Sequence, residues 1–140
     1  MSEIYLSSDL HLRHKNIIRH RPQFQTVEEH DAIIRENYLR RVTKHDVVYL
    51  LGDVAFSEEG LQEVASWPAK KKILIAGNHC TERVPMRVVC QYFDEVHSML
   101  KLKGFILSHA PIHPDELRGR INIHGHSHYN VIDDERYVNV

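Results

Sequence analysis

"KKILIAGNH", residues 71–79, decides how the chain folds. Ile73, Leu74 and Ile75 form an apolar run without alternation, which is how a strand covered on both faces reads. The run stops at Gly77 and is followed at once by Asn78 and His79, two side chains that offer lone pairs. The same theme recurs along the chain. "EIYLSSDLH" (3–11) ends in Asp9 and His11, and "DVVYLLGDVAF" (46–56) carries Gly52-Asp53 after its apolar part. "GFILSHAP" (104–111) reaches Ser108-His109, and "RINIHGHSH" (120–128) finishes on His126 and His128.

Helical segments fall between these strands. Thr26-Val27-Glu28-Glu29 has the spacing of a capping box and opens a helix to about Val42, with Ile33, Ile34, Tyr38 and Val42 available for a buried stripe. Residues 58–66 read as a second helix, stopped by Trp67-Pro68 because the residue before proline resists helical angles. A third is expected over about Thr81–Gln91, with Pro85 tolerable in its first turn. "DEVHSMLKLKGFILSH" (94–109) reads as two strands joined around Lys103-Gly104. Helices and strands alternate early and strands crowd late, the pattern of an α/β layered sandwich of mixed sheets in one domain, 1–140.

Composition narrows the function classes. The 18 basic and 19 acidic residues nearly cancel, which excludes a protein that coats nucleic acid by charge alone. Cys80 and Cys90 make neither a disulfide framework nor a paired zinc motif and read as reduced thiols. "MSEIYLSSDLH" lacks a basic leader region and no run approaches a membrane span, so a cytoplasmic protein without membrane contact is expected. Twelve histidines stand out against four phenylalanines.

Taken singly, these residues have ordinary readings. An Asp or Asn after Gly is commonly a turn residue, and a lone His beside a strand is usually a satisfied polar group. The joint pattern is different, because ligands of open α/β sheets bind at the carboxyl ends of the strands. Random turn chemistry would not end successive strands in metal-type donors. Gly125-His126-Ser127-His128 is the most specific piece, reading as a pair of metal-clamping histidines on an extended segment.

These residues resemble the calcineurin-like metallophosphoesterases. Asp9-x-His11, Gly52-Asp53, Gly77-Asn78-His79, Ser108-His109 and Gly125-His126-x-His128 match that family's motifs in order over nearly the whole chain. "DLHLRHKNIIRHRPQF" is similar to a subgroup of small bacterial and phage phosphoesterases. The resemblance implies a metallo-dependent phosphatase-like, four-layer α-β-β-α sandwich with two mixed sheets between outer helices. It also implies two metal ions, one held by Asp9, His11 and His128, the other by Asn78, His109 and His126, with Asp53 bridging. The implied reaction is hydrolysis of phosphoric esters by a hydroxide that bridges the metals.

Elementary chemistry is consistent with that assignment. Imidazole and carboxylate donors without thiolate suit Mn, Fe, Zn or Ni better than a Ca or Mg cage. One carboxylate can serve both ions of a two-metal hydrolase. Only two carboxylates face two divalent ions, so the loaded site keeps a positive charge that attracts a phosphate ester. Asn78 would neutralise charge on the phosphoryl oxygens, and His79 resembles the family's catalytic histidine, which binds the phosphoryl group or protonates the leaving group.

Cys80 stands where the family usually carries an acid that orients this histidine. A thiol is a weak hydrogen-bond partner, so a neutral thiol is expected, with Glu82 or Asp94 as replacements. His14 and Asn16, within a basic cluster with Arg13, Lys15, Arg19 and Arg21, are expected to form an anion-steering rim, and His113 to border the site. His124 reads as core or as support for a ligand. His20, His30, His45 and His97 read as surface residues.

The expected activity is that of a metal-dependent phosphoesterase acting on a small phosphoester or nucleotide, with a phosphodiester, cyclic ones included, favoured over a monoester. Two alternatives stand beside it: a catalytically weak metal-binding scaffold for protein partners, and a nuclease-like or nucleic-acid-binding module.

Overall fold

Val47–Leu50 and Lys71–Ile75, rich in β-branched residues, become two neighbouring strands at the centre of a four-stranded sheet. The computed structural model describes residues 1–140 and gives the order β1 (Ile4–Ser7), α1 (Ile17–His20), α2 (Val27–Arg41), β2 (Val47–Leu50), α3 (Glu58–Ser66), β3 (Lys71–Ile75) and α4 (Met86–Val89). There follow β4 (Glu95–His97), β5 (Met99–Leu102), β6 (Phe105–Ser108), β7 (Ile121–His124) and β8 (Tyr137–Asn139). Short 3-10 turns occupy Cys90–Tyr92 and Pro114–Glu116. The fold is α/β, with two four-stranded sheets ordered β1-β2-β3-β4 and β5-β6-β7-β8.

The first sheet is parallel throughout. The second is mixed, with β5 and β6 antiparallel and the β6–β7 and β7–β8 pairs parallel. The expectation of two mixed sheets is thus corrected for the first. Helical crossovers return the chain after β1, β2 and β3, which parallel pairing requires, whereas the Lys103-Gly104 connection is short enough only for a hairpin.

Alternation along β2 and β3 sorts side chains between two cores. Val48, Leu50 and Leu74 face the helices and join Leu61, Val64 and Trp67. Tyr49, Leu51, Ile73 and Ile75 face the other way and meet Leu107 and Ile123 of the second sheet. The far face of that sheet is covered by residues 109–120. There Leu117 is buried, Asn122 accepts the Ile112 N–H at 3.1 Å, and the Tyr137 hydroxyl donates to the Ile112 carbonyl at 2.7 Å. A loop with one 3-10 turn therefore lies where an outer helix was expected.

Helix boundaries follow local chemistry. The Thr26 hydroxyl oxygen accepts the Glu29 N–H at 3.1 Å, while the Glu29 carboxylate accepts from Gln25 at 3.0 Å, one residue outside the usual box. Ile34, Tyr38 and Val42 pack on the core as expected, but Ile33 is 37% exposed and the inward place one turn earlier belongs to His30. The row 30, 34, 38 follows the i, i+4 periodicity that Ile33 misses. α3 keeps its expected span, capped by the Ser57 hydroxyl and ended by extended Trp67. The third helix shrinks to Met86–Val89, because Pro85 sits in extended geometry as its cap instead of inside it.

No helix is long and apolar enough to cross a membrane. Cys80 and Cys90 are both free, in line with reduced thiols. Leu107 is fully buried between the sheets. Leu107→Ala is expected to lower the unfolding free energy by about 2–5 kcal/mol, the range for a large-to-small change in a packed core. Urea unfolding followed by tryptophan fluorescence and circular dichroism measures this.

Candidate metal centre

The parallel strands β1, β2, β3, β6 and β7 deliver their carboxyl ends to one place. Backbone bonds knit the loops that follow: Asp9 N–H donates to the Gly52 carbonyl at 3.2 Å, His11 N–H to Asp53 at 2.9 Å, and Gly125 N–H to His109 at 2.8 Å. Such proximity needs glycine. A Cβ on Gly77 would lie 2.4 Å from Asp53 Oδ1, and one on Gly52, whose φ is +91°, would lie 2.7 Å from the Gly77 Cα. These two glycines let the β2 and β3 ends touch.

Two clusters of donor atoms result. Asp9, His11 and His128 form one, and Asp53, His109 and His126 the other, with the donor atoms of each group within 4.8 Å of one another. Asn78 joins the second, its Oδ1 lying 2.9 Å from His109 Nε2. Asp53 Oδ2 stands between the groups, 3.9 Å from His11 Nε2 and 3.1 Å from His109 Nε2. His126 Nδ1 is also 3.2 Å from His109 Nε2. The expected ligands are thus brought together, in the expected grouping.

The donor set fits a cation. One nitrogen, His109 Nε2, is crowded by a carboxylate oxygen, an amide oxygen and another imidazole nitrogen, and a single proton there can satisfy only one of them. Asp9 Oδ1 and His11 Nε2 are buried with no hydrogen-bond partner. Supporting contacts leave the right lone pairs free. His109 Nδ1–H donates to the Leu51 carbonyl at 2.7 Å, so Nε2 faces inward, and Nδ1 of His11 pairs with Nδ1 of His14 at 3.2 Å. Metal-binding histidines are held in this way.

The backbone is held against its preference. Asp9, His11, Asp53, His126 and His128 all have φ between +50° and +68°. Each costs about 1–2 kcal/mol for a residue with a Cβ, and such strain gathers at functional sites. This corrects the extended reading of 125–128: the two histidines lie on left-handed turns and point into different clusters.

Charge follows burial and pairing. Burial draws His11 down to about 3, outweighing the Asp53 charge. Burial also lowers His128. For His109 burial acts in the same sense but is overcome by hydrogen bonding and charge from Asp53, so its pKa is raised. Asp53 is pushed up by burial and more than restored by His109 and the His79 amide, ending below the ordinary carboxylate value.

His79 lies beside the centre, its N–H donating to Asp53 Oδ1 at 2.9 Å. Its Nδ1 is 2.7 Å from Glu82 Oε2, so Glu82 supplies the acidic partner. Asp94 instead accepts the Lys72 N–H. Cys80 points into the core, its sulfur accepting the Gly77 N–H at 3.1 Å, and burial raises its pKa, which keeps a neutral thiol.

His14 stays near the site, stacked on Phe56 at 4.0 Å between ring centroids. Arg13 instead lines a separate cavity with Glu28, Asp31, Arg35 and Glu63. Asn16 is an exposed cap residue of α1 and contributes no side-chain cap bond. His113 caps the 3-10 turn at 114–116 and belongs to neither cluster. His124 is fully buried, with Nδ1 2.8 Å from the Gly125 carbonyl. His20, read as a bystander, lines an open cavity of about 470 Å³ with His126, Ser127, His128, Tyr129 and Asn130. His30, also read as a surface residue, is completely buried.

No protein-family model matches the chain. It is 30% identical to the gene 66 protein of Mycobacterium phage L5, over 94% of this chain and 80% of that protein. It is 33% identical to the uncharacterized protein MJ1445 of Methanocaldococcus jannaschii, over 99% of this chain and 77% of that one. A crystal structure of a protein of unknown function, AQ665 from Aquifex aeolicus, superposes with a TM-score of 0.76 at 28% identity, covering 100% of this chain and 89% of that one. At this identity and coverage, the chain belongs to the family of the phage L5 gene 66 protein and the Methanocaldococcus protein.

Proposed function

We propose that the protein is a binuclear metal-dependent phosphoesterase with the metallo-dependent phosphatase-like sandwich of the calcineurin-like superfamily. One observation carries the reading: buried lone pairs from two adjoining clusters converge with too few protons to satisfy them, and Asp53 Oδ2 lies between. Asp9, His11 and His128 would hold one ion and Asn78, His109 and His126 the other, with Asp53 serving both. Two divalent ions, Mn first and Fe, Zn or Ni as substitutes, supply an activated water and neutralise phosphoryl charge.

The chain's own residues supply the rest. His109 is oriented by the Leu51 carbonyl and His11 by His14, so both offer Nε2 to the centre. His79, tied through Nδ1 to Glu82, leaves Nε2 for the phosphoryl group or the departing oxygen, where a proton is delivered. A phosphodiester is favoured because the cavity beside His126 and His128 is open and leaves room for a second ester arm.

Chelation should abolish hydrolysis of a nitrophenyl phosphodiester. Mn or Ni should restore it more fully than Mg or Ca, because nitrogen-rich donors favour the former. Equal rescue by Ca, measured as turnover with metal content, would contradict the donor set.

Asp53→Asn should cost more turnover than Asp9→Asn, since it weakens both ions. An Asp53→Asn protein that retains two ions and near-normal rate would remove the bridging assignment.

His79→Ala should slow alkyl esters by about 10²–10⁴-fold, the scale of general acid catalysis. Glu82→Gln should slow them only about fivefold, because the pair is half exposed and an exposed ion pair contributes at most about 1 kcal/mol. Nitrophenyl esters, which need little protonation, should be affected less by both variants, and Cys80→Asp should not restore the Glu82→Gln loss.

A further inference from the structure

A buried chain of polar groups reaches the centre from α2. His30 is fully buried and Asp31 nearly so, on a helix that otherwise turns apolar residues inward. His30 Nδ1 lies 2.8 Å from Asp31 Oδ1, and its Nε2 lies 2.6 Å from Arg21 Nη1. A guanidinium can only donate, so His30 Nε2 accepts and its proton sits on Nδ1, facing Asp31. The other terminal nitrogen of Arg21 donates to the backbone carbonyl of Asp9. Asp31 uses its second oxygen to accept the Arg13 N–H at 3.0 Å.

α2 therefore grips both ends of the loop that carries Asp9 and His11. Asp9, His11 and Arg13 all have left-handed backbone angles, a sequence of conformations that the loop cannot hold unaided. On its other side the loop is tied to the β2 end through Asp9 N–H and His11 N–H. The Asp9 peptide groups are thus fixed on both flanks, by Gly52 and by Arg21. The Asp9 side chain has Oδ2 committed to the His126 N–H at 2.8 Å, which leaves Oδ1 as the free donor.

We propose that Arg21, oriented by the buried His30–Asp31 pair, is a positioning residue for the Asp9–His11–His128 cluster. It acts through the Asp9 backbone and touches neither ion nor substrate. The inference rests on the metal-centre reading above. The Asp53–His109–His126 cluster meets this chain of groups at second hand, through the Asp9 Oδ2 that accepts the His126 N–H and the His11 N–H that donates to the Asp53 carbonyl, so the first cluster takes the larger share of the effect. Lysine cannot replace arginine, because two donors must point in two fixed directions at once.

The test is calorimetric titration of the metal-free full-length chain with Mn alone. The wild type should bind in two resolved steps, assigned by comparison with His11→Ala, which removes a donor of the first cluster, and His126→Ala, which removes one of the second. Arg21→Met and Arg21→Lys should each weaken the first-cluster step by about 10–100-fold, the usual effect of losing a ligand's supporting contact. The second step should weaken less, because the clusters are coupled through Asp9 and Asp53 while only the first is held directly by Arg21.

Asp31→Asn keeps the volume and leaves Arg21 in place, but an amide cannot accept from both Arg13 and His30. It should reproduce the unequal loss, larger at the first cluster, and it decides the matter if the arginine variants do not fold. Equal weakening of both steps, or no weakening, would overturn the positioning role. A wild-type chain that takes up no Mn would instead overturn the metal-centre reading itself.

Discussion

Everything in the structure answers to one repulsion. Lone pairs of His126, Asn78 and Asp53 all come within hydrogen-bond distance of His109 Nε2, where one proton can satisfy only one of them. Such an arrangement persists only if the backbone is braced from outside. The bracing comes from two sheets packed through Tyr49, Leu51, Ile73, Ile75, Leu107 and Ile123, which hold five strand ends in register. The core is here a clamp as much as a source of stability.

The site was legible because each donor sits immediately beyond an apolar strand, where periodicity changes abruptly and one-dimensional order maps onto position. What surrounds the donors was less legible. His30 sits in a helix of polar character, so nothing in the local pattern marks it as buried; only its partners Arg21 and Asp31, nine residues and one residue away, make that burial tolerable. Arg13 belonged to a basic run, but it has a left-handed backbone and lines a separate cavity with Glu28, Asp31 and Glu63. His113 followed a site motif and proved to cap a turn.

The fold shows the same division. α3 and most strands were readable from period and caps, but where two strands were expected over 94–109 there are three, because the first is broken at Ser98 into β4 and β5, which join different sheets. The parallel character of the first sheet depends on crossovers, and the shortened α4 on whether Pro85 lies inside or before the helix, which the sequence leaves open. Cys80 illustrates how neighbours in sequence part in space. His79 turns outward to Glu82, while the thiol beside it turns inward and is used for packing and for the Gly77 amide. The acidic partner is displaced by two positions, and the helical turn spacing between 79 and 82 brings it back within reach.

The left-handed angles at Asp9, His11, Asp53, His126 and His128 carry an implication for how such a protein can change. A glycine at any of these positions would relax the backbone, but at Asp9 and Asp53 it would also remove the carboxylate that holds a neighbouring loop through the His126 or His79 N–H. Five such angles gathered in so small a region are a cost that stability alone gives no reason to incur. The centre is, in that sense, the least self-sustaining part of the molecule and the most informative about its purpose.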